Sequence, residues 1–140
     1  MKQLIIGFSI LLSTFTINAS ELPEVLDNGF QAYLTQGPKA AITSWSQGGI
    51  LEGSRDALAQ ANSFRKVEEY YGSYQGFEVF KSNKLSEKSY VYLVVLHYEQ
   101  GPVFSKFFTY VNAKNKEVVT GLNFNTEAGK VWPSYLIYGE

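Results

Sequence analysis

The chain has 140 residues, 12 basic and 13 acidic side chains, a net charge of −1 and no cysteine. That length fits one ordinary domain, and the charge balance offers neither nucleic acid nor anionic lipid an electrostatic partner. Without cysteine there is no disulfide framework, no lipidated cysteine and no thiolate metal site.

The chain opens with Met1-Lys2-Gln3 and the apolar run Leu4 to Ile17. A single Lys before a stretch of this length, followed by Ile17-Asn18-Ala19 with its small last residue, predicts an export signal over residues 1–19. Ser13, Thr14 and Thr16 make the run a poor bilayer span. Glu21, Pro23 and Glu24 follow in place of a basic stop-transfer cluster, so cleavage is favoured over a retained anchor. The expectation is an exported protein, periplasmic or secreted, whose residues 20–140 form one domain. Losing Lys2 moves the net charge from −1 to −2. Stability then has to come from the core, and 16% aromatic residues, with ten Tyr and ten Phe, supply it.

Helical spacing fills the first half. Pro23 suits a first turn; Leu26, Phe30, Tyr33 and Leu34 trace a stripe, and Gly37 ends it. Pro38 opens a second helix with Ala41, Ile42 and Trp45 on one face, broken by Gly48-Gly49. Ser54 is placed to cap a third helix, with Asp56 in its first turn. Its stripe runs through Leu58, Ala61, Phe64 and Tyr71, interrupted by Arg65 and Glu68, and Gly72 stops it.

After Gly72 the period becomes two. Phe77 to Lys81 is a first strand and Tyr90 to Glu99 a second, rich in Val, Tyr and Leu. Gln100-Gly101-Pro102 turns the chain into a third strand, Val103 to Val111. A polar turn, Ala113 to Lys116, leads to a fourth, Glu117 to Asn125. These strands predict an antiparallel meander. Pairing Val111 with Val118 sets Thr109 opposite Thr120, Phe107 opposite Leu122 and Ser105 opposite Phe124, which defines a core face under the helices. The other face then carries Phe104, Lys106, Phe108 and Tyr110 beside Val119, Gly121, Asn123 and Asn125. Pairing Tyr98 with Val103 adds His97 to it. Strands two and three are apolar on both faces, so this second face needs a cover: a second copy, a ligand, or the aromatic tail from Val131 to Tyr138.

Helices followed by a curved four-stranded antiparallel sheet resemble the NTF2-like, or cystatin-like, α+β superfamily. Val67-Glu68-Glu69-Tyr70-Tyr71-Gly72, Gly76-Phe77-Glu78 and the strand Gly121-Leu122-Asn123-Phe124-Asn125 carry the resemblance. It covers nearly all of the chain after the leader and is closest to small exported bacterial members. It implies a fold that hosts isomerases, dehydratases, transport adaptors and non-catalytic pocket proteins, without choosing among them. The Gln-x-Val-x-Gly pattern of cystatin-type inhibitors is absent.

Chemistry-bearing motifs are few. His97 is the only histidine, so a histidine-rich metal site is excluded, and no Gly-x-Ser-x-Gly elbow accompanies it. Gly48 to Gly53 lacks the Lys-Ser/Thr of a phosphate loop. Trp132, Tyr135 and Tyr138 read as tail packing ahead of a sugar platform. The expected function is an exported, non-catalytic binding or interaction module without a cofactor. It would hold a small apolar ligand or a partner protein, with His97, Lys106, Tyr110 and Asn123 as candidate ligand-binding residues. Two alternatives stand beside it. One is an isomerase- or dehydratase-type enzyme using Glu78 or His97 as base with Tyr92, Tyr98 or Tyr110 as donor. The other is a structural homodimer or accessory subunit.

Overall fold

A computed structural model describes residues 22–139; the expected export signal over residues 1–19 lies outside them. Three helices come first: α1 (Glu24–Gln36), α2 (Pro38–Ser46) and α3 (Arg55–Tyr71). Four strands follow: β1 (Tyr74–Lys84), β2 (Ser89–Tyr98), β3 (Gly101–Val111) and β4 (Glu117–Asn125). A 3-10 turn (Ala128–Lys130) and a short helix α4 (Ser134–Tyr138) close the chain. The protein is thus α+β, with helices followed by one antiparallel sheet in the order β1-β2-β3-β4. No helix among the described residues is long and apolar enough to cross a membrane.

Local chemistry explains the boundaries. Ser54 Oγ accepts the Ala57 N–H at 3.1 Å, the expected cap of α3. Pro38 occupies the first turn of α2. Gly72, at φ 84°, reverses the chain from α3 into β1, a conformation that side-chain-bearing residues rarely adopt. The stripe of α3 is Ala57, Ala61 and Phe64; Leu58, expected on it, is exposed. Gly101 and Pro102 already belong to β3, so Glu99 and Gln100 alone form the β2–β3 turn.

The core lies between the helices and one sheet face. Leu26, Phe30, Trp45, Ala61 and Phe64 meet Val94, Leu96, Val103 and Phe107 there. Aromatic contacts dominate. Phe30 stacks on Phe77 with centroids 4.0 Å apart and presents an edge to Trp45 at 5.1 Å. Phe64 stacks on Phe124 at 3.9 Å. Trp45 also meets Phe107 at 5.0 Å and donates its indole N–H to the Leu26 carbonyl at 3.1 Å. Each such ring pair adds about 0.5–1.5 kcal/mol beyond its buried area.

Register on the core face follows the sequence expectation at Phe107–Leu122 and Ser105–Phe124. It departs nearer the β3–β4 turn, where Thr109 pairs with Val119 and Val111 with Glu117. The cause is a bulge: Phe108 pairs with Gly121, so Thr120 is an extra residue and is exposed. Val119, expected on the outer face, therefore joins the core. Two further irregularities, at Tyr74/Gly76 and Val79/Lys81, interrupt β1. Bulges of this kind bend their strands and increase the twist.

The tail covers much of the outer face. Trp132 is buried, donates its indole N–H to the Ser105 carbonyl at 2.9 Å, stacks on Phe80 and meets the edge of Phe104. Val131, Leu136 and Ile137 pack with it over Val91, Leu93, Val95 and Phe104. Leu93, Val131 and Trp132 thereby form a second small core, with Phe104 partly buried against it.

Candidate functional site

The outer sheet face carries the four residues singled out from the sequence. His97 pairs with Pro102, Lys106 lies between Leu93 and Asn123, and Tyr110 pairs with Ser89 and Val118. Lys106 and Asn123 are direct cross-strand partners. The other two lie toward opposite ends of the face. From Pro102 to Tyr110 is eight residues of β3, about 27 Å at ~3.4 Å per residue. The four therefore line an open surface, with Lys106 also resting over the Phe108 ring. Tyr110 is 41% exposed, at the end of the face beside the β3–β4 turn.

His97 has a different neighbour. Its Nε2 lies 3.3 Å from Glu78 Oε2, with the two side chains 47% and 72% exposed. Alternation places Glu78 on the outer face with Phe80, while Phe77 and Val79 turn to the core. The pair is solvated, so it contributes little to stability. Among the described residues, neither group has a tyrosine hydrogen-bond partner.

Concavity lies elsewhere. A shallow cleft of about 990 Å³ opens where the β3–β4 turn faces the first turn of α1 and the end of α2. Pro23, Glu24, Val25 and Asn28 form one wall, Gln47, Gly48 and Glu52 another, and Asn112 to Val118 the third. Local hydrogen bonds set these walls. Asn112 Oδ1 accepts the N–H groups of Lys114 and Lys116, and Glu52 Oε2 accepts that of Gly48 at 3.0 Å. A smaller depression of about 660 Å³ lies next to it, over Gln36, Lys39 and Thr43.

Glu117 is the group the sequence reading passed over. Its Oε1 accepts the Tyr92 hydroxyl at 3.2 Å and the Thr109 hydroxyl at 2.5 Å. Tyr92 and Thr109 are both buried, while Glu117 is half-buried and lines the cleft. Burial first, and the Glu117 charge second, hold the Tyr92 phenol well above the usual tyrosine range. Tyr92 thus remains a donor. In the sequence, Glu117 stands only as the first residue of the fourth strand. The bulge that carries Val119 into the core opposite Thr109 is what distinguishes it.

A second polar group lies deeper. Tyr33 and Tyr98 share a hydroxyl–hydroxyl hydrogen bond of 3.0 Å, and the Tyr74 ring packs on Tyr33 at 4.0 Å. The buried Tyr74 hydroxyl has no partner among the described residues. Burial raises all three phenols far above the usual range. Burial likewise raises the Glu68 carboxyl, against the opposing pull of Arg65. Among the described residues no three His, Asp or Glu side chains come together as a metal site.

Comparison with family models, curated proteins and solved structures returns no match to this chain.

Proposed function

We propose that this chain is an exported NTF2-like domain, periplasmic or secreted, that acts as a non-catalytic binding or interaction module. The helices-then-sheet order and the bulged antiparallel meander support the superfamily reading. The observation that carries the functional reading is the filled interior. Phe30, Trp45, Phe64 and Phe107, each no more than 1% exposed, occupy the space between helices and sheet where members of such a fold would hold a ligand or a reacting group. An acid–base role for Glu78 or His97 calls for enclosure and a tyrosine donor; both groups face water and pair with each other. Binding then belongs to the surface, at the end cleft and on the outer face around Lys106, Tyr110 and Asn123.

Native mass spectrometry of the mature protein, purified gently and weighed again after denaturation, tests this. Extra mass released on denaturation, or a co-purified partner, is the expected result. A bare monomer would count against it. A bare dimer would favour the structural homodimer, a second reading supported by Phe108 and Tyr110, which lie outside the cluster formed by the tail.

A further inference from the structure

The C-terminal segment is fastened to the body by side chains alone. Among the described residues, the backbone–backbone hydrogen bonds of residues 127–139 all close within that segment. Lys130, Val131 and Trp132 donate to Glu127 and Ala128, while Leu136 and Gly139 donate to Pro133 and Tyr135. Of its side chains, the Trp132 indole alone bonds to a strand, at the Ser105 carbonyl. Val131 and Trp132 are its buried anchors, with Leu136 and Ile137 half-buried behind them.

Such a segment is ordered by what lies beneath it. α4 has five residues, no side-chain cap and no buried residue, far short of the ~12–15 residues at which an isolated helix becomes marginal in water. Leaving the sheet breaks no bond of the strand ladder, so the segment opens as a local unit while the body stays folded. Opening uncovers Leu93, Val95 and Phe104, and an apolar sheet face of this kind calls for a new cover.

The structure shows what fits there: an indole stacked on Phe80, edge-on to Phe104 and donating to the Ser105 carbonyl. A second copy of the chain carries the same indole on the same segment. The connection suits an exchange. Residues 126–130 are exposed apart from half-buried Ala128, and at Gly129 an added methyl would meet nothing beyond its chain neighbours. Asn125 and Trp132 stand seven positions apart, a reach of about 24 Å when extended at ~3.4 Å per residue. Unburied rings lie on both sides of the exchange, Tyr135 and Tyr138 on the segment and Tyr110 on the same sheet face, so a paired copy has further apolar surface to cover.

We infer that residues 126–139 form an exchangeable strap, which seats either on its own sheet or on the equivalent face of a second copy of this chain, joining the two as a swapped dimer. No ligand is needed for the exchange, so it stands apart from the binding-module reading. It also differs from a dimer built on Phe108 and Tyr110 alone, because each strap crosses to the other chain.

The test is to refold the full mature protein at low and at high concentration and weigh it by size exclusion with light scattering. A dimer fraction that rises with concentration is expected. Labelled and unlabelled chains refolded together then give isotope-filtered NMR contacts from the Trp132 indole to the partner's Phe104. Deleting Ala128 and Gly129 removes the slack that lets the strap fold back, and should raise the dimer-to-monomer ratio about ten-fold or more at equal concentration. A parent chain that stays monomeric at high concentration would overturn the exchange. So would a dimer in which Trp132 contacts Phe104 of its own chain only, which would assign the interface to Phe108 and Tyr110 instead. A shortened chain that folds, by circular dichroism, and stays monomeric would count equally against it.

Discussion

Gly29→Ala tests the core packing most directly, because two physical effects predict opposite signs. Gly29 is buried in the middle of α1, where helix propensity alone favours alanine by about 1 kcal/mol. A methyl group there would land on the Trp45 indole, well inside van der Waals contact. Trp45 is 1% exposed, packed against Phe30 and Phe107, and tied to the Leu26 carbonyl. Moving it means overpacking, about 1–3 kcal/mol, and straining or losing a buried hydrogen bond, about 1–3 kcal/mol more. The net expectation is destabilisation by about 3 kcal/mol, a large share of the ~5–15 kcal/mol that holds a domain together. The assay is urea unfolding followed by circular dichroism, read as a shift in midpoint at constant slope. Gly129→Ala is the control: apart from its own neighbours along the chain, nothing lies within 4 Å of the added methyl, so its effect should stay within about 0.5 kcal/mol. In a Trp45→Leu background the clash is relieved, and Gly29→Ala should become neutral or stabilising, a coupling of about 2 kcal/mol or more. A single Gly29→Ala variant as stable as the parent would refute the packing described for Trp45.

Trp132→Ala should destabilise the protein by about 2–4 kcal/mol, since it removes a buried indole and its hydrogen bond to Ser105. Hydrogen exchange should show the residues after Val131 opening with it; an unchanged melting temperature would contradict a docked tail. Tyr98→Phe leaves the Tyr33 hydroxyl without its partner and should lose about 1–2 kcal/mol. Tyr74→Phe removes a hydroxyl that has no partner and should be neutral or slightly stabilising; equal losses in the two variants would refute the distinction. Burial raises the folded-state pKa of Tyr33, Tyr74, Tyr92 and Tyr98 above the unfolded value. Their protonated forms therefore favour the folded state, with no penalty below about pH 10 and stability falling as pH rises beyond it. Denaturant midpoints measured from pH 8 upward should be flat and then decline, and a midpoint still flat well above pH 10 would argue that these phenols are not buried.

Much of the architecture was legible in one dimension. The spacing of Leu26, Phe30 and Tyr33, the Ser54 cap and the switch to period two after Gly72 are local facts, set by side-chain periodicity and backbone sterics. They were enough to order helices before strands and to place Phe107 opposite Leu122. The bulge at Thr120 was not legible, because no single residue there announces an extra unit in the ladder. That one residue moves Val119 into the core opposite Thr109, with Glu117 hydrogen-bonded to Thr109 and Tyr92. The covering of Leu93 and Phe104 by Trp132 is likewise a long-range choice, since a tail, a second copy and a ligand satisfy the same apolar pattern. Periodicity fixes which side of an element is apolar; only packing decides what meets that side and which charged group is left facing a cleft, because those contacts join residues that the chain itself keeps far apart.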